Sequence, residues 1–142
     1  MDQSVKECII NAVKNEPYAR TLNMDLVELE HGYSAVEMTY NPETMDNIYS
    51  RAHGGAIYAL IDEAFETAGQ TDGTIAVALN VNVTYVSSPK SGARLRAEAR
   101  KVSQTKKTAV YDIKVEDMDG QPIALCQALA FCTGKKIPFL SK

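Results

Sequence analysis

Residues 53–68 decide the fold and read HGGAIYALIDEAFETA. Their apolar side chains recur every three or four positions, which is the spacing that lines up one face of a helix. These side chains are Ile57, Leu60, Ile61, Ala64, Phe65 and Ala68. Small alanines flank the stripe, and only Asp62, Glu63 and Glu66 interrupt its apolar character. The pattern predicts a largely buried central helix.

Alternating apolar and polar residues on both sides of this helix predict strands. Before it, residues 24–30 and 33–40 form two runs joined by His31-Gly32, which is typical of a hairpin. After it, four runs follow at 75–86, 95–102, 108–116 and 123–132. The residues expected on one face of the longest run are Ile75, Val77, Leu79, Val81, Val83 and Tyr85. Sequential strands with few helices predict an α+β fold in which a curved antiparallel sheet wraps the helix.

Length and composition favour one domain. The 142 residues are 45% hydrophobic and 23% charged, an ordinary mix for a chain with a packed core. No repeat or linker divides the sequence, so we expect a single domain over 1–142. It should begin with an amphipathic helix at about 3–14, ended by Pro17, and should have its core at about 22–134.

Composition also excludes several classes of protein. A net charge of -3 gives no basic surface for nucleic acid. No stretch approaches the ~20 apolar residues of a membrane span, and the N-terminus does not read as a signal peptide. Three cysteines without a C-x-x-C pair predict neither disulfides nor zinc, and favour a cytoplasmic location. With only His31 and His53, no metal site is expected. Motifs for nucleotides, flavins and serine hydrolases are missing.

The start of the central helix has the physical features of a catalytic site. Its first N–H groups lack intrahelical partners, and Gly54 and Gly55 let a ligand approach them closely. The helix dipole adds positive potential there, which suits a carbonyl oxygen that is becoming an oxyanion. Asp62 follows two turns later on the flank of the apolar stripe, next to Tyr58. Partial burial there would raise its pKa and favour a base or a nucleophile.

Each residue also has a plainer interpretation. Two glycines before a helix are common loop chemistry, and Asp62 could mark a solvated face together with Glu63 and Glu66. His53 could simply begin the helix, and Asn47 could simply close a turn. The residues alone leave these alternatives open.

The segment resembles the PaaI-type thioesterases of the hotdog superfamily, whose pattern is N-x-x-G-x-x-H-G-G followed by an apolar helix with D-x-A-F. The matching positions are Asn47, Ser50, His53, Gly54, Gly55, Asp62, Ala64 and Phe65. Further likeness lies at 76–78, at 82–85 before Pro89, and at Gly92. In all, the resemblance covers most of residues 24–132.

The resemblance implies an acyl-CoA thioesterase that needs no cofactor beyond the CoA of its substrate. Subunits pair as dimers, often further as tetramers, with the active site at the dimer interface. Asp62 would face Asn47, His53 and Gly54 of the partner, and would attack the thioester or activate water. The Gly54 N–H would polarise the carbonyl, and Gly55 would assist.

The resemblance also implies substrate contacts and shows two departures. Ser50 replaces a glycine, which would alter the loop backbone, and Ala78 replaces a Ser or Thr that supports the water. Residues expected to contact the acyl group are Tyr49, Tyr58 and Phe65. Residues that would hold the CoA phosphates, or would merely be solvated, are Lys90, Arg94, Lys106 and Lys107.

Two other functions are alternatives to thioester hydrolysis on this fold. A non-catalytic acyl-CoA binder or sensor could use the same fold, although the catalytic Asp is retained and no DNA-binding region is visible. A dehydratase or hydratase would need an Asp and a helix His in a pattern that the sequence lacks. The acyl chain could be aromatic, medium or long.

Overall fold

The computed structural model describes residues 1–141 of the chain. The helices are α1 (Gln3–Asn15), α2 (Pro17–Thr21), α3 (Pro42–Met45) and α4 (Gly54–Gly69), and a 3₁₀ turn spans Pro138–Ser141. The strands are β1 (Asp25–Glu30), β2 (Tyr33–Thr39), β3 (Thr74–Tyr85), β4 (Arg94–Gln104), β5 (Thr108–Asp117) and β6 (Pro122–Lys136). In this part of the chain, no helix combines the length and the apolar character needed to cross a membrane.

The strands form one six-stranded sheet in the order β1-β2-β4-β5-β6-β3. All neighbouring strands are antiparallel. Helix α4 packs against the sheet, and its side chains Leu60, Ile61, Ala64 and Ala68 are completely buried. Burial of such a stripe is the main term that stabilises the fold. The predicted α+β class, with the sheet wrapped around a central helix, is confirmed.

A buried polar contact sets how α4 is rotated about its own axis. The Ser34 hydroxyl on β2 donates to the carbonyl of Ala64 at 2.6 Å, and Thr67 Oγ1 lies 2.9 Å from Ser34 Oγ. Ser34 and Thr67 are both buried, so their hydroxyls must find partners inside the protein. With this face held against β2, the Asp62 side chain is directed away from the core to the opposite flank.

The long strand β3 departs from the predicted alternation. Ala78 pairs with Ala130 and Asn80 with Leu129 on β6, so Leu79 is an extra residue in a β-bulge. A bulge moves the following residues to the other face. Ala76 and Ala78 therefore share a face with Val81, Val83 and Tyr85, whereas Val77 lies on the opposite face. The expectation that Val77 and Val81 share one face was wrong, because the pattern does not reveal an inserted residue.

Two short helices were also not predicted. Pro17 begins α2 instead of only ending α1, which stops at Asn15. Proline suits the first turn of a helix because the N–H that it lacks would have no partner there. Asn41 caps α3 by accepting from the N–H of Glu43 at 3.1 Å. Four or five residues are too few to show a helical period in the sequence.

Candidate active site

The loop before α4 is closed by the side chain of Asn47. Its Oδ1 accepts hydrogen bonds from the backbone N–H groups of Tyr49 at 2.8 Å and Arg51 at 3.2 Å. The Asn47 N–H donates in turn to the Arg51 carbonyl at 2.7 Å. The Asn47 oxygen is therefore engaged inside its own loop, as is common in turns. Its amide NH₂ has no partner among residues 1–141 and is the part that can reach another group.

Ser50 lies in this loop with φ at +57°, in the left-handed region. An L-residue with a Cβ adopts this conformation at a cost of about 1–2 kcal/mol. The sequence suggested that serine in place of glycine would alter the loop backbone. The structure instead gives Ser50 the conformation that glycine adopts most easily, so the replacement is accommodated as strain at one residue.

His53 hydrogen-bonds to the second of the two glycines that begin α4 and not to the first. Its Nδ1 accepts a hydrogen bond of 2.8 Å from the N–H of Gly55, which caps the helix. This leaves the imidazole Nε2 as the nitrogen that can donate, since Nδ1 acts as the acceptor. The N–H of Gly54 has no hydrogen-bond partner in the described part of the chain. In this conformation the Gly54 N–H is free to bind a negatively charged oxygen, and the Gly55 N–H is not.

Tyr85 at the end of β3 contacts the start of α4, and sequence reasoning did not predict this contact. Its hydroxyl donates to the carbonyl of Gly54 at 3.0 Å. The ring also packs on the glycine, since a Cβ added at Gly54 would lie 3.1 Å from Tyr85 Cζ. The sequence offered two signals, an aromatic residue at the end of a long strand and the family likeness at 82–85, and neither identifies the partner of Tyr85.

Asp62 lies on the exposed flank of α4, beside the N-terminal half of β3. It lines a cleft of about 260 Å³ together with Phe65, Ala78 and Val77. The Asp62 side chain is exposed at the surface of the single chain, but the protein around it excludes part of the solvent. This partial burial raises the pKa of Asp62. Burial raises the pKa of Tyr58 as well, with a smaller contribution from the negative charge of Asp62. The predicted proximity of Tyr58 to Asp62 is present in the structure, and Phe65 and Ala78 line the Asp62 cleft.

Gly54 and Asp62 are too far apart to act together within one chain. They are eight positions apart on the same helix, or about 12 Å at 1.5 Å per residue. A thioester carbonyl must lie within about 3 Å of both its oxyanion donor and its attacking group. The two groups are therefore separated along α4, with Gly54 at its first residue and Asp62 near its middle.

The sequence profile of the thioesterase superfamily matches residues 49–124. The chain belongs to the thioesterase superfamily. The Escherichia coli acyl-coenzyme A thioesterase PaaI is 30% identical over 79% of this chain and 79% of its own length. The structure of the E. coli PaaI protein matches with a TM-score of 0.89 at 28% identity, covering 94% of this chain and 96% of that one.

A protein from Streptococcus mutans, solved with acetyl CoA bound, is also similar. It has a TM-score of 0.76 and 31% identity, and the match covers 81% of this chain and 92% of that one. These findings confirm the prediction of a PaaI-type hotdog thioesterase. The protein is thus an enzyme that hydrolyses thioesters.

Aromatic side chains predicted to contact the acyl group differ in their access to it. Tyr49 of this thioesterase is 77% exposed, beside Ile48 at 90%. Neighbouring large apolar side chains at such exposure are typical of a surface that binds a ligand or another protein chain. Phe65 is buried and packs edge-on against Tyr111, with ring centroids 5.3 Å apart. Phe65 can therefore form only the floor of the Asp62 cleft.

The four cations proposed for CoA fall into two groups. Arg94 donates to Asp25 at 2.7 Å and to Glu37 at 3.2 Å. Two carboxylates already engage its guanidinium, so a phosphate would have to compete with them for Arg94. The three lysines that remain exposed are Lys90, Lys106 and Lys107, and none forms an ion pair with a described residue.

Proposed function

We propose that this thioesterase hydrolyses acyl-CoA to a free acid and CoA at sites shared by two copies of the chain. One observation carries the proposal. An unpartnered backbone N–H at Gly54 and a partly buried carboxylate at Asp62 lie on one helix, about 12 Å apart along its axis. They are the two halves that acyl transfer needs, placed where a single chain cannot combine them.

The proposed chemistry uses Gly54 as the oxyanion donor and Asp62 as the base or nucleophile. As oxygen attacks the thioester carbon, negative charge on the carbonyl oxygen is stabilised by the Gly54 N–H and the positive end of α4. Asp62 either takes the proton of the attacking water or attacks the carbon itself. When Asp62 acts as a base, it returns the proton of the attacking water to the sulfur as the C–S bond breaks, so CoA leaves as a thiol. When Asp62 acts as a nucleophile, a mixed anhydride forms as the C–S bond breaks and the CoA thiolate takes a proton from solvent. Water then hydrolyses the anhydride, which releases the acid and restores the Asp62 carboxylate. The Asn47 NH₂ and His53 Nε2 face the reacting groups.

Strand β3 supports the shared arrangement. It lies at the sheet edge, and its outer side has no strand partner among the described residues. It is 12 residues long, with Leu79 58% and Val77 45% exposed. A long apolar edge invites pairing with another strand. Because Ala78 is near Asp62 and Tyr85 contacts Gly54, antiparallel pairing of two β3 strands brings Asp62 of one copy to Gly54 of the other.

The CoA moiety is assigned from the relatives and the free lysines. The E. coli relative is named an acyl-coenzyme A thioesterase, and the S. mutans relative binds acetyl CoA. Lys107 accepts a backbone hydrogen bond from Cys132, which pairs with Ala76 near the Asp62 cleft. Lys90 follows β3 at the opposite, Gly54 end. Antiparallel pairing of two β3 strands would bring Lys107 of one copy and Lys90 of the other to the entrance of one shared site, where they can attract phosphates.

Release of CoA from short, medium, long and aromatic acyl-CoAs tests the proposal. Asp62→Asn should lower turnover of the best substrate by about 10²-fold or more. Asp119→Asn, the same change in an exposed turn, should leave turnover unchanged. If the native protein binds acyl-CoA but releases no CoA above background, a binding or sensing role replaces the proposal.

Mixed dimers test whether the site is shared. Asp62→Asn chains retain Gly54, and Gly54→Ala chains retain Asp62, so each mixed dimer has one complete site only if the site is shared. Refolding the two inactive variants together at equal amounts should recover about a quarter of the native activity. Activity that stays at the level of the separate variants would place each site within one chain.

A further inference from the structure

Three glutamates meet between the N-terminal helices and the C-terminal half of α4. Glu16 lies at the junction of α1 and α2, and Glu63 and Glu66 lie one turn apart on α4. One carboxylate oxygen from each lies within 4.8 Å of the other two. Glu66 also lines a cleft of about 360 Å³ with Glu16, which leads from the cluster to solvent.

Glu63 belongs to this cluster, and one of its two carboxylate oxygens has no hydrogen-bond partner. Its side chain is 3% exposed, and its Oε1 is buried with no hydrogen bond. Of the ion pairs within residues 1–141, none involves Glu16, Glu63 or Glu66. A buried carboxylate without a donor or a cation is strongly unfavourable. Burial, with the nearby charges of Glu16 and Glu66, raises the pKa of Glu63 to about 8. Either shared protons or a bound cation must therefore neutralise the cluster.

We propose that Glu16, Glu63 and Glu66 bind one hard divalent cation, of the size of Ca²⁺, as a structural site. Carboxylate oxygens are the ligands that such cations prefer, and water from the open side completes the coordination. The three carboxylates, which have oxygens within 4.8 Å of one another, favour Ca²⁺ by their number. Mg²⁺ usually keeps several waters and is bound through only one or two carboxylates.

The bound ion would tie the α1–α2 junction to the helix that carries Asp62. Apart from this cluster, α1 contacts the rest of the protein mainly through Val5, Ile9 and Val13. An ion that bridges both elements stabilises the folded state by mass action, because its ligands are not assembled in the unfolded chain. The ion is not part of thioester hydrolysis, so the site can be tested whether or not the enzyme turns over acyl-CoA.

Direct binding measurements test the site. The full chain is stripped with EDTA and then titrated with Ca²⁺ by calorimetry and with Mn²⁺ by electron paramagnetic resonance. We expect one ion per chain and a melting temperature, followed by circular dichroism, that rises by several degrees at saturating Ca²⁺. Glu63→Gln and Glu66→Gln should each weaken binding about tenfold or more, since each removes a charged ligand.

Control variants separate the site from general charge effects. Glu7→Gln removes an exposed carboxylate from α1 outside the cluster and should bind the ion like the native chain. Because Glu66 is exposed, its variant should fold even if Glu63→Gln does not. If native protein shows no saturable binding at millimolar Ca²⁺ or Mn²⁺, or if Glu66→Gln binds as tightly as native, the proposal is overturned. Protons shared among the carboxylates would then neutralise the cluster.

Discussion

Replacement of Tyr85 by Phe removes the hydroxyl that donates to the Gly54 carbonyl at 3.0 Å and keeps the ring that packs on the glycine. A hydrogen bond of this kind contributes about 0.5–1.5 kcal/mol. If it serves to aim the Gly54 N–H at the oxyanion, that amount is lost from the transition state. The expected fall in kcat is then about 2- to 12-fold. The N–H acts on charge that develops only in the transition state, so kcat and kcat/KM should fall together while KM stays constant.

Steady-state CoA release gives both constants, and melting by circular dichroism shows whether the variant is folded. Tyr18→Phe is the matched control, because Tyr18 is 57% exposed and no hydrogen bond to its hydroxyl exists in the described chain. Its kinetic constants should equal those of the native enzyme. If Tyr85→Phe keeps the native kcat, or changes KM alone, Tyr85 does not position Gly54 and the reasoning fails.

Three further predictions follow from the same geometry. Asp62→Asn should raise the melting temperature at neutral pH. Burial raises the pKa of Asp62 in the folded state above its ordinary value of about 3.8. The contribution of Asp62 to folding stability is therefore complete below pH 3.8 and is lost as the pH rises through the raised pKa. An equal change in melting temperature in acid and at neutral pH would contradict this. Gly54→Ala should lose more activity than Tyr85→Phe, because the new Cβ lies 3.1 Å from the ring, whereas Gly69→Ala, which meets only Ala76 at 3.4 Å, should remain active. Ser50→Gly should stabilise the protein by about 0.5–1 kcal/mol in chemical unfolding, since relief of left-handed strain exceeds the entropy that glycine costs; unchanged or lower stability would show that Ser50 is unstrained.

Local patterns were enough to predict the architecture. The apolar stripe of residues 53–68 and the alternating runs around it depend on neighbours only a few positions apart, and these periods distinguish helix from strand. The same is true of Gly54 at the helix start and of Asp62 on the flank of the stripe. The free N–H of Gly54 and the partial burial of Asp62 depend on their positions along one helix, and the sequence pattern already predicts that helix.

Sequence patterns predicted the fold class, the superfamily and the candidate residues on α4. Which distant groups contact those residues depends on the tertiary structure. It placed Tyr85 on Gly54, engaged Arg94 with Asp25 and Glu37, and brought Glu16 to Glu63 across 47 positions of the chain. It also inserted Leu79 as a bulge. Periodicity records which face of its own element a residue occupies, whereas these contacts depend on how the elements pack, a property that no single segment carries.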